Sequence, residues 1–258
     1  MIKNKRIRDF IVLLAVSVFV LFVPAFLMRI NLIDAYIAQI LTLSAINAIM
    51  AISVNIICGI TGQLSLGQAG FMATGAYTCI WFAQTAQLPL PAAIIIGGIF
   101  AAGIGFLVGF PTLKLTGDYL AIVTLGFGEI LRVLFVNLKS ITKGANGIRF
   151  TTSLAFLPDL AWLVICGSLV ITVVLLQNFL RSSYGRAIKS VREDEIAAAS
   201  NGISVFKYKM TGFVIAAFVA GIAGGLYAAF IGFVKPDLSS FNRSVDYLIY
   251  VVLGEWAV

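Results

Sequence analysis

The chain has 258 residues, 60% hydrophobic and 11% charged, with a mean hydropathy of +1.04. A soluble domain carries about a quarter charged residues, so one water-soluble core cannot hide this much apolar surface and a bilayer is the expected solvent. The net charge of +7, from 18 basic and 11 acidic residues, does not mark a nucleic-acid binder, because the bases cluster in short segments between apolar runs.

The residue types narrow the chemistry further. There is no histidine, which removes the commonest general base and metal ligand. Cys58, Cys79 and Cys166 lie far apart in apolar surroundings, so neither a disulfide framework nor a zinc site is expected. No G-x-x-x-x-G-K-S/T motif is present. The Gly-x-Gly pairs at Gly103–Gly105 and Gly126–Gly128 lie inside apolar runs rather than after a strand. No cofactor, metal or nucleotide is expected in this chain.

Apolar runs long enough to span a bilayer recur in chain order. The first, Phe10 to Met28, follows Lys3, Lys5, Arg6 and Arg8; at about 19 residues it reads as a retained span rather than a signal peptide. The second covers Asp34 to Ile60 and the third, rich in Gly and Ala, Leu66 to Ala86. The fourth covers Ala92 to Phe110. The fifth, Tyr119 to Leu138, carries Glu129 and Arg132, with Asp118 before it as the expected N-cap. The sixth runs from Leu160 to Leu180 and the seventh from Met210 to Phe233. The eighth starts near Val245 and reaches the end of the chain at Val258 after about fourteen residues. The expected fold is an all-α polytopic transmembrane bundle of about eight spans, forming a single transmembrane domain over 1–258.

Charge sets the expected orientation. With the N-terminus inside, segments 1–9, 59–65, 111–118 and 181–209 hold eleven basic residues, and the outer segments hold six. This bias places the N-terminus and the Arg181–Lys209 loop on the cytoplasmic side. That loop is too polar to span. Arg186 to Ser200 contains neither Gly nor Pro and reads as one helix, stopped by Asn201-Gly202. Ile196, Ala199 and Ile203 give it a small apolar stripe, and Ala197–Ala199 would allow a close approach by another surface. Docking into a groove on a partner and a plain solvated surface helix are both consistent with this pattern.

Two other groups stand out. Gly62, Gly67, Gly70 and Gly75, with Ala69, Ala73 and Ala76, allow close helix packing or a broken helix lining a cavity. Gln63, Ser65, Gln68 and Thr74 would supply polar groups along such a path. Glu129 and Arg132, spaced i, i+3, fit a local ion pair, contact with a zwitterionic substrate, or an interfacial position.

"REDEIAAASNGIS", "GQLSLGQAGFMATGAYTCI" and "LTGDYLAIVTLGFGEILR", with two shorter segments, together resemble the permease subunits of branched-chain amino-acid ABC importers. "REDEIAAASNGIS" (Arg192–Ser204) resembles the family's cytoplasmic coupling loop, matching at Ala197, Ala198 and Gly202. Ile196 stands at the acid's position, with Glu195 one residue early. "GQLSLGQAGFMATGAYTCI" (Gly62–Ile80) is similar to the G-x-x-S-L-G-x-A-x-F-x-x-x-G-A-Y signature. "LTGDYLAIVTLGFGEILR" (Leu115–Arg132) matches a further segment, with Thr116 at the usual basic position. "TKGANGI" (Thr142–Ile148) carries Lys143 in place of a Gly, and "FVIAAFVAGIAGGLYA" (Phe213–Ala228) resembles the stretch after the coupling loop. The longer, "M"-type permease chain fits best.

The resemblance implies an inner-membrane importer subunit that carries branched-chain or related amino acids. Its partners would be a second permease chain, two ATP-binding cassette subunits docked inside, and an external substrate-binding protein. Glu195, Ala197, Ala198, Gly202 and Ile203 would be the ATPase-coupling residues. Family chains continue past "VVLG" with a Gly-rich loop and further helix, so a missing C-terminal part is expected here. A urea- or amide-type ABC permease, an ion-coupled secondary transporter and a non-transporting membrane scaffold are the rival readings.

Overall fold

The computed structural model describes residues 22–28, 30, 33–115, 117–151 and 158–255. Most of the expected first span, and with it the N-terminal orientation, lies outside the described residues; 22–28 within it are helical. Nine further α-helices of six residues or more follow among the described residues. They are α1 (Ala35–Asn55), prolonged by a π-helical turn over Ile56–Ile60, α2 (Gln68–Gln84), α3 (Leu90–Thr112), α4 (Asp118–Asn137) and α5 (Pro158–Arg181). Then come α6 (Ser183–Glu193), α7 (Glu195–Ser200), α8 (Val205–Ile231) and α9 (Phe241–Glu255).

Five of these segments are long and apolar enough to cross a membrane: Ala35–Ile60, Leu90–Thr112, Asp118–Asn137, Leu160–Arg181 and Val205–Ile231. Their outward faces carry bare hydrophobes, including Ile99, Leu107, Ile122, Ile130 and Leu175. Exposed apolar faces on every side suit lipid as the solvent. The expected third span is different. Its helix, α2, has seventeen residues, about 25 Å, short of a hydrocarbon core of about 30 Å. Thirteen of those residues are buried, so α2 is wrapped by its neighbours rather than by lipid.

The bundle centre is α8 packed against α2 and α3, and small residues decide how closely. A β-carbon at Gly224 would overlap the Met72 carbonyl oxygen, and one at Gly75 would overlap the backbone of Gly221. Gly97 in turn faces the Gly75 carbonyl. With no hydrophobic drive between helices in lipid, such backbone-to-backbone contact maximises dispersion and is the main adhesive available. The periodic Gly and Ala of the third apolar run therefore do pack closely.

The non-membrane ends are tied as well. After α4, a turn over Lys139–Thr142 and a 3₁₀ turn over Gly144–Asn146 lead to strand β1 (Ile148–Arg149). It pairs antiparallel with β2 (Phe233–Val234), which follows α8. Asp118 is not the cap of α4: Gly117 holds that place, and Asp118 is the first helical residue, where its charge favours the helix N-terminus. Cys58, Cys79 and Cys166 form no disulfide.

Candidate functional site

The polar loop after α5 is two helices, not the single one expected over Arg186–Ser200. Asp194 adopts an extended conformation between them. Its carboxylate accepts from the backbone N–H of Ile196 (2.8 Å) and Ala197 (3.0 Å). Asp, good at capping and poor inside helices, thus ends α6 and restarts α7. The predicted stop is present. Gly202 has φ +80°, and the Ile203 N–H returns to the Ala198 carbonyl at 3.1 Å, a glycine-based C-terminal closure.

The orientation of α7 separates the coupling residues expected from sequence. Ile196 is 81% exposed, the largest exposure of any large hydrophobe described. Ala197, Ala199 and Gly202 are also exposed, and no atom lies within 4 Å of the space a Gly202 side chain would take. Ala198, by contrast, is 4% exposed and packs inward, and Ile203 is half-buried. Ala198 and Ile203 therefore hold the loop to its own chain rather than facing outward. Six residues turn only about one and two-thirds times, so the outward face is Ile196, Ala197, Ala199 and Ser200 rather than the stripe Ile196–Ala199–Ile203.

Glu195 has a different place. Its Oε1 pairs with Nζ of Lys209, in the second turn of α8. The Lys209 side chain is 10% exposed and that of Glu195 48%. A largely buried ammonium needs such a partner, so the carboxylate ties α7 to the base of α8. Sequence reading missed Lys209, which sits beside the first residue of the expected seventh span. Its one legible signal was a lysine bounded by the apolar Tyr208 and Met210.

The other candidate group lies between α1 and α2. Residues 61–67 are non-helical. Thr61, Gln63, Ser65 and Gly67 are buried while Gly62 and Leu64 are exposed; Gly62, at φ +69°, ends the π-helical turn, and the Gln63 N–H donates back to the Ile57 carbonyl at 3.0 Å. Polar side chains face in and Leu64 faces out. The Leu66 N–H donates to Thr124 Oγ1 at 3.1 Å, and Gly67 abuts the Thr124 carbonyl. Irregular backbone at this depth persists only where protein or a cavity surrounds it. The Ser53 hydroxyl donates to the Ala216 carbonyl (2.7 Å) and lies 3.1 Å from Gln68 Oε1. Both amide atoms of Gln63, Ser65 Oγ and Gln68 Nε2 are buried without a hydrogen-bond partner. Thr74, expected in the same set, is satisfied within its helix, donating to the Gly70 carbonyl at 2.9 Å.

Glu129 and Arg132 form the local ion pair, 2.7 Å apart. Glu129 Oε1 also accepts from the Phe241 N–H (3.2 Å), and the neighbouring Gly128 carbonyl accepts from Ser239 Oγ (3.0 Å). Arg132 reaches Asp237 at 3.9 Å. The pair thus fastens the start of α9 to α4.

A family model for the branched-chain amino acid transport system permease component matches residues 36–257. The chain belongs to this family. It is 40% identical over 245 residues to the high-affinity branched-chain amino acid transport system permease protein LivM of Escherichia coli, covering 84% of this chain and 58% of that protein. The Salmonella typhimurium LivM is 38% identical over the same shares. The guanosine ABC transporter permease NupQ of Bacillus subtilis is 26% identical over 76% of this chain and 68% of its own length. No solved structure matches. The chain spans little more than half the length of the LivM proteins it resembles.

Proposed function

We propose that this chain is the membrane-spanning permease subunit of an ABC importer for branched-chain amino acids, driven by ATP hydrolysis in a partner. The observation that carries the reading is α7: an exposed, small-residue helix backed by an ion pair to α8, in a family whose members are transport permeases. The higher identity to LivM than to the guanosine permease favours amino acids over nucleosides. The Arg181–Lys209 loop is cytoplasmic in this reading, as the basic residues around it favour. The membrane is the bacterial inner membrane. Two ATPase subunits dock there, a second permease chain completes the pathway, and a binding protein delivers substrate from outside.

In this mechanism ATP-driven closure of the ATPases pushes on α7. The Asp194 cap keeps α7 helical, and the Glu195–Lys209 pair passes the displacement to α8, whose glycine contacts with α2 and α3 transmit it to the bundle core. Access then alternates between two states whose balance nucleotide biases. Gln63, Ser65 and Gln68 are the polar groups assigned to the path; their unpaired buried atoms suit a segment that meets water or substrate when the bundle opens.

Ala197→Arg tests the docking face. Ala197 is exposed, so the fold should persist while a bulky charge enters the interface. Co-purification of the ATPase with the transporter should fall at least tenfold. Normal association and normal uptake would refute the docking assignment.

A further inference from the structure

One feature of the bundle is used neither by the docking helix nor by the polar segment. An apolar crevice of about 720 Å³ runs between α3, α5 and α8. Its floor is formed by Ile94, Val219 and Leu226, all buried, and its open rim includes Leu160 and Ile171, which are 45% and 60% exposed. Only Ser168 and Thr172 bring polar atoms, and their hydroxyls donate to the Ile165 and Ser168 carbonyls (2.7 and 2.8 Å), so the wall presents nothing polar. Along α5 it extends from Leu160 to Phe179, about 28 Å at 1.5 Å per residue, close to the full hydrocarbon thickness.

Size decides the class of occupant. A helix of that length and about 10 Å across occupies roughly 2200 Å³ and would lie largely outside so narrow a crevice, whereas a single flexible hydrocarbon chain is thin enough to enter it along its length. The end at Phe179 decides the headgroup. There α6 folds back on α5 so tightly that a β-carbon at Gly185 would press on the Leu180 Cα and the Phe179 carbonyl. Tyr184 of α6 meets Tyr208 of α8, ring centroids 5.9 Å apart, and so ties the helix after α5 to α8. Around that bridge Arg181, Arg186 and Lys207 are exposed. Arg186 donates to the Arg181 carbonyl (3.0 Å) and to Ser183 Oγ (3.1 Å). No ion pair among the described residues involves any of the three. The acids on the same loop are otherwise engaged or displaced: Asp194 caps α7, Glu195 holds Lys209, and Glu193 lies at the far end of α6.

We propose that this crevice is a binding site for an anionic phospholipid, with an acyl chain between α3, α5 and α8 and the phosphate at Arg181, Arg186 and Lys207. Tyrosine and arginine at headgroup level with an apolar slot beneath match such a lipid chemically. The site wedges α5 from α8, so a bound chain sets their separation.

The test is native mass spectrometry on the full chain purified in detergent, with dioleoyl phosphatidylglycerol or dioleoyl phosphatidylcholine added at equal concentration. Phosphatidylglycerol should be retained at least tenfold better. The triple variant R181A/R186A/K207A should weaken it on the order of a hundredfold, since each surface base contributes about fivefold. Ser168→Phe and, independently, Ile171→Trp should reduce retention of both lipids while helix content by circular dichroism stays unchanged. Equal retention of the two lipids, or phosphatidylglycerol binding indifferent to the triple variant, overturns the proposal. So does a photo-crosslinker at position 171 of the full chain in its membrane that captures a protein chain instead of lipid. None of these readouts depends on transport, so the site stands or falls apart from the permease reading.

Discussion

Removing either partner of the Glu195–Lys209 pair should have unequal effects, and the inequality follows from burial. In Glu195→Ala the Lys209 ammonium, on a side chain only 10% exposed, is left without its partner. Breaking a fully buried pair this way costs about 3–5 kcal/mol. Glu195 is half-exposed, so water reaches part of the site and about 2 kcal/mol is the appropriate figure. In Lys209→Met the remaining carboxylate turns to water and the methionine fills the space of the lysine stem, so the cost should stay below about 1 kcal/mol. The double variant should resemble Lys209→Met alone. Hydrogen exchange on the amides of Ala198 to Ile203 reads this directly, because those bonds close α7. Glu195→Ala should speed exchange about thirtyfold, Lys209→Met less than about fivefold. Equal effects of the two single variants, or unchanged protection in Glu195→Ala, would refute the view of Glu195 as the tie between α7 and α8.

Three further outcomes follow from the same geometry. Asp194→Ala should cost about 1 kcal/mol of α7 stability by removing its cap, seen as faster exchange at Ile196 and Ala197, with uptake reduced. Gly224→Ala should lower the yield of monodisperse protein on size-exclusion chromatography, since its β-carbon meets the Met72 carbonyl at a cost of about 3 kcal/mol or more. Gly103→Ala, with no atom within 4 Å, should behave like the parent. Glu129→Ala should open 241–255 to limited proteolysis, and Glu129→Gln should do so much less, because the amide oxygen still accepts from the Phe241 N–H.

The sequence by itself determined the membrane character of the protein, because an apolar run long enough to span must find lipid wherever it lies. Four expected spans coincide with helices to within two residues at most ends: α3, α4, α5 and, with its π-helical turn, α1. The expected start of α8 lies five residues late because Lys207 and Lys209 read as loop, whereas both are helical and Lys209 is buried against Glu195. The polar Arg181–Lys209 loop and its stop at Gly202 were legible too, since glycine at positive φ is a local property.

What local pattern could not supply was direction. Composition alone did not show that Gln63 and Ser65 sit in buried non-helical chain before α2, which only the surrounding helices make tolerable. The i, i+3 spacing of Glu129 and Arg132 predicted their ion pair. That Glu129 would also hold Phe241, 112 residues away, depended on the chain's return to α4. The acid one place off the expected pattern is the clearest case. Sequence placed Glu195 on a polar helix that the resemblance reads as a coupling element; tertiary structure adds its pairing with Lys209, because a buried ammonium requires a carboxylate.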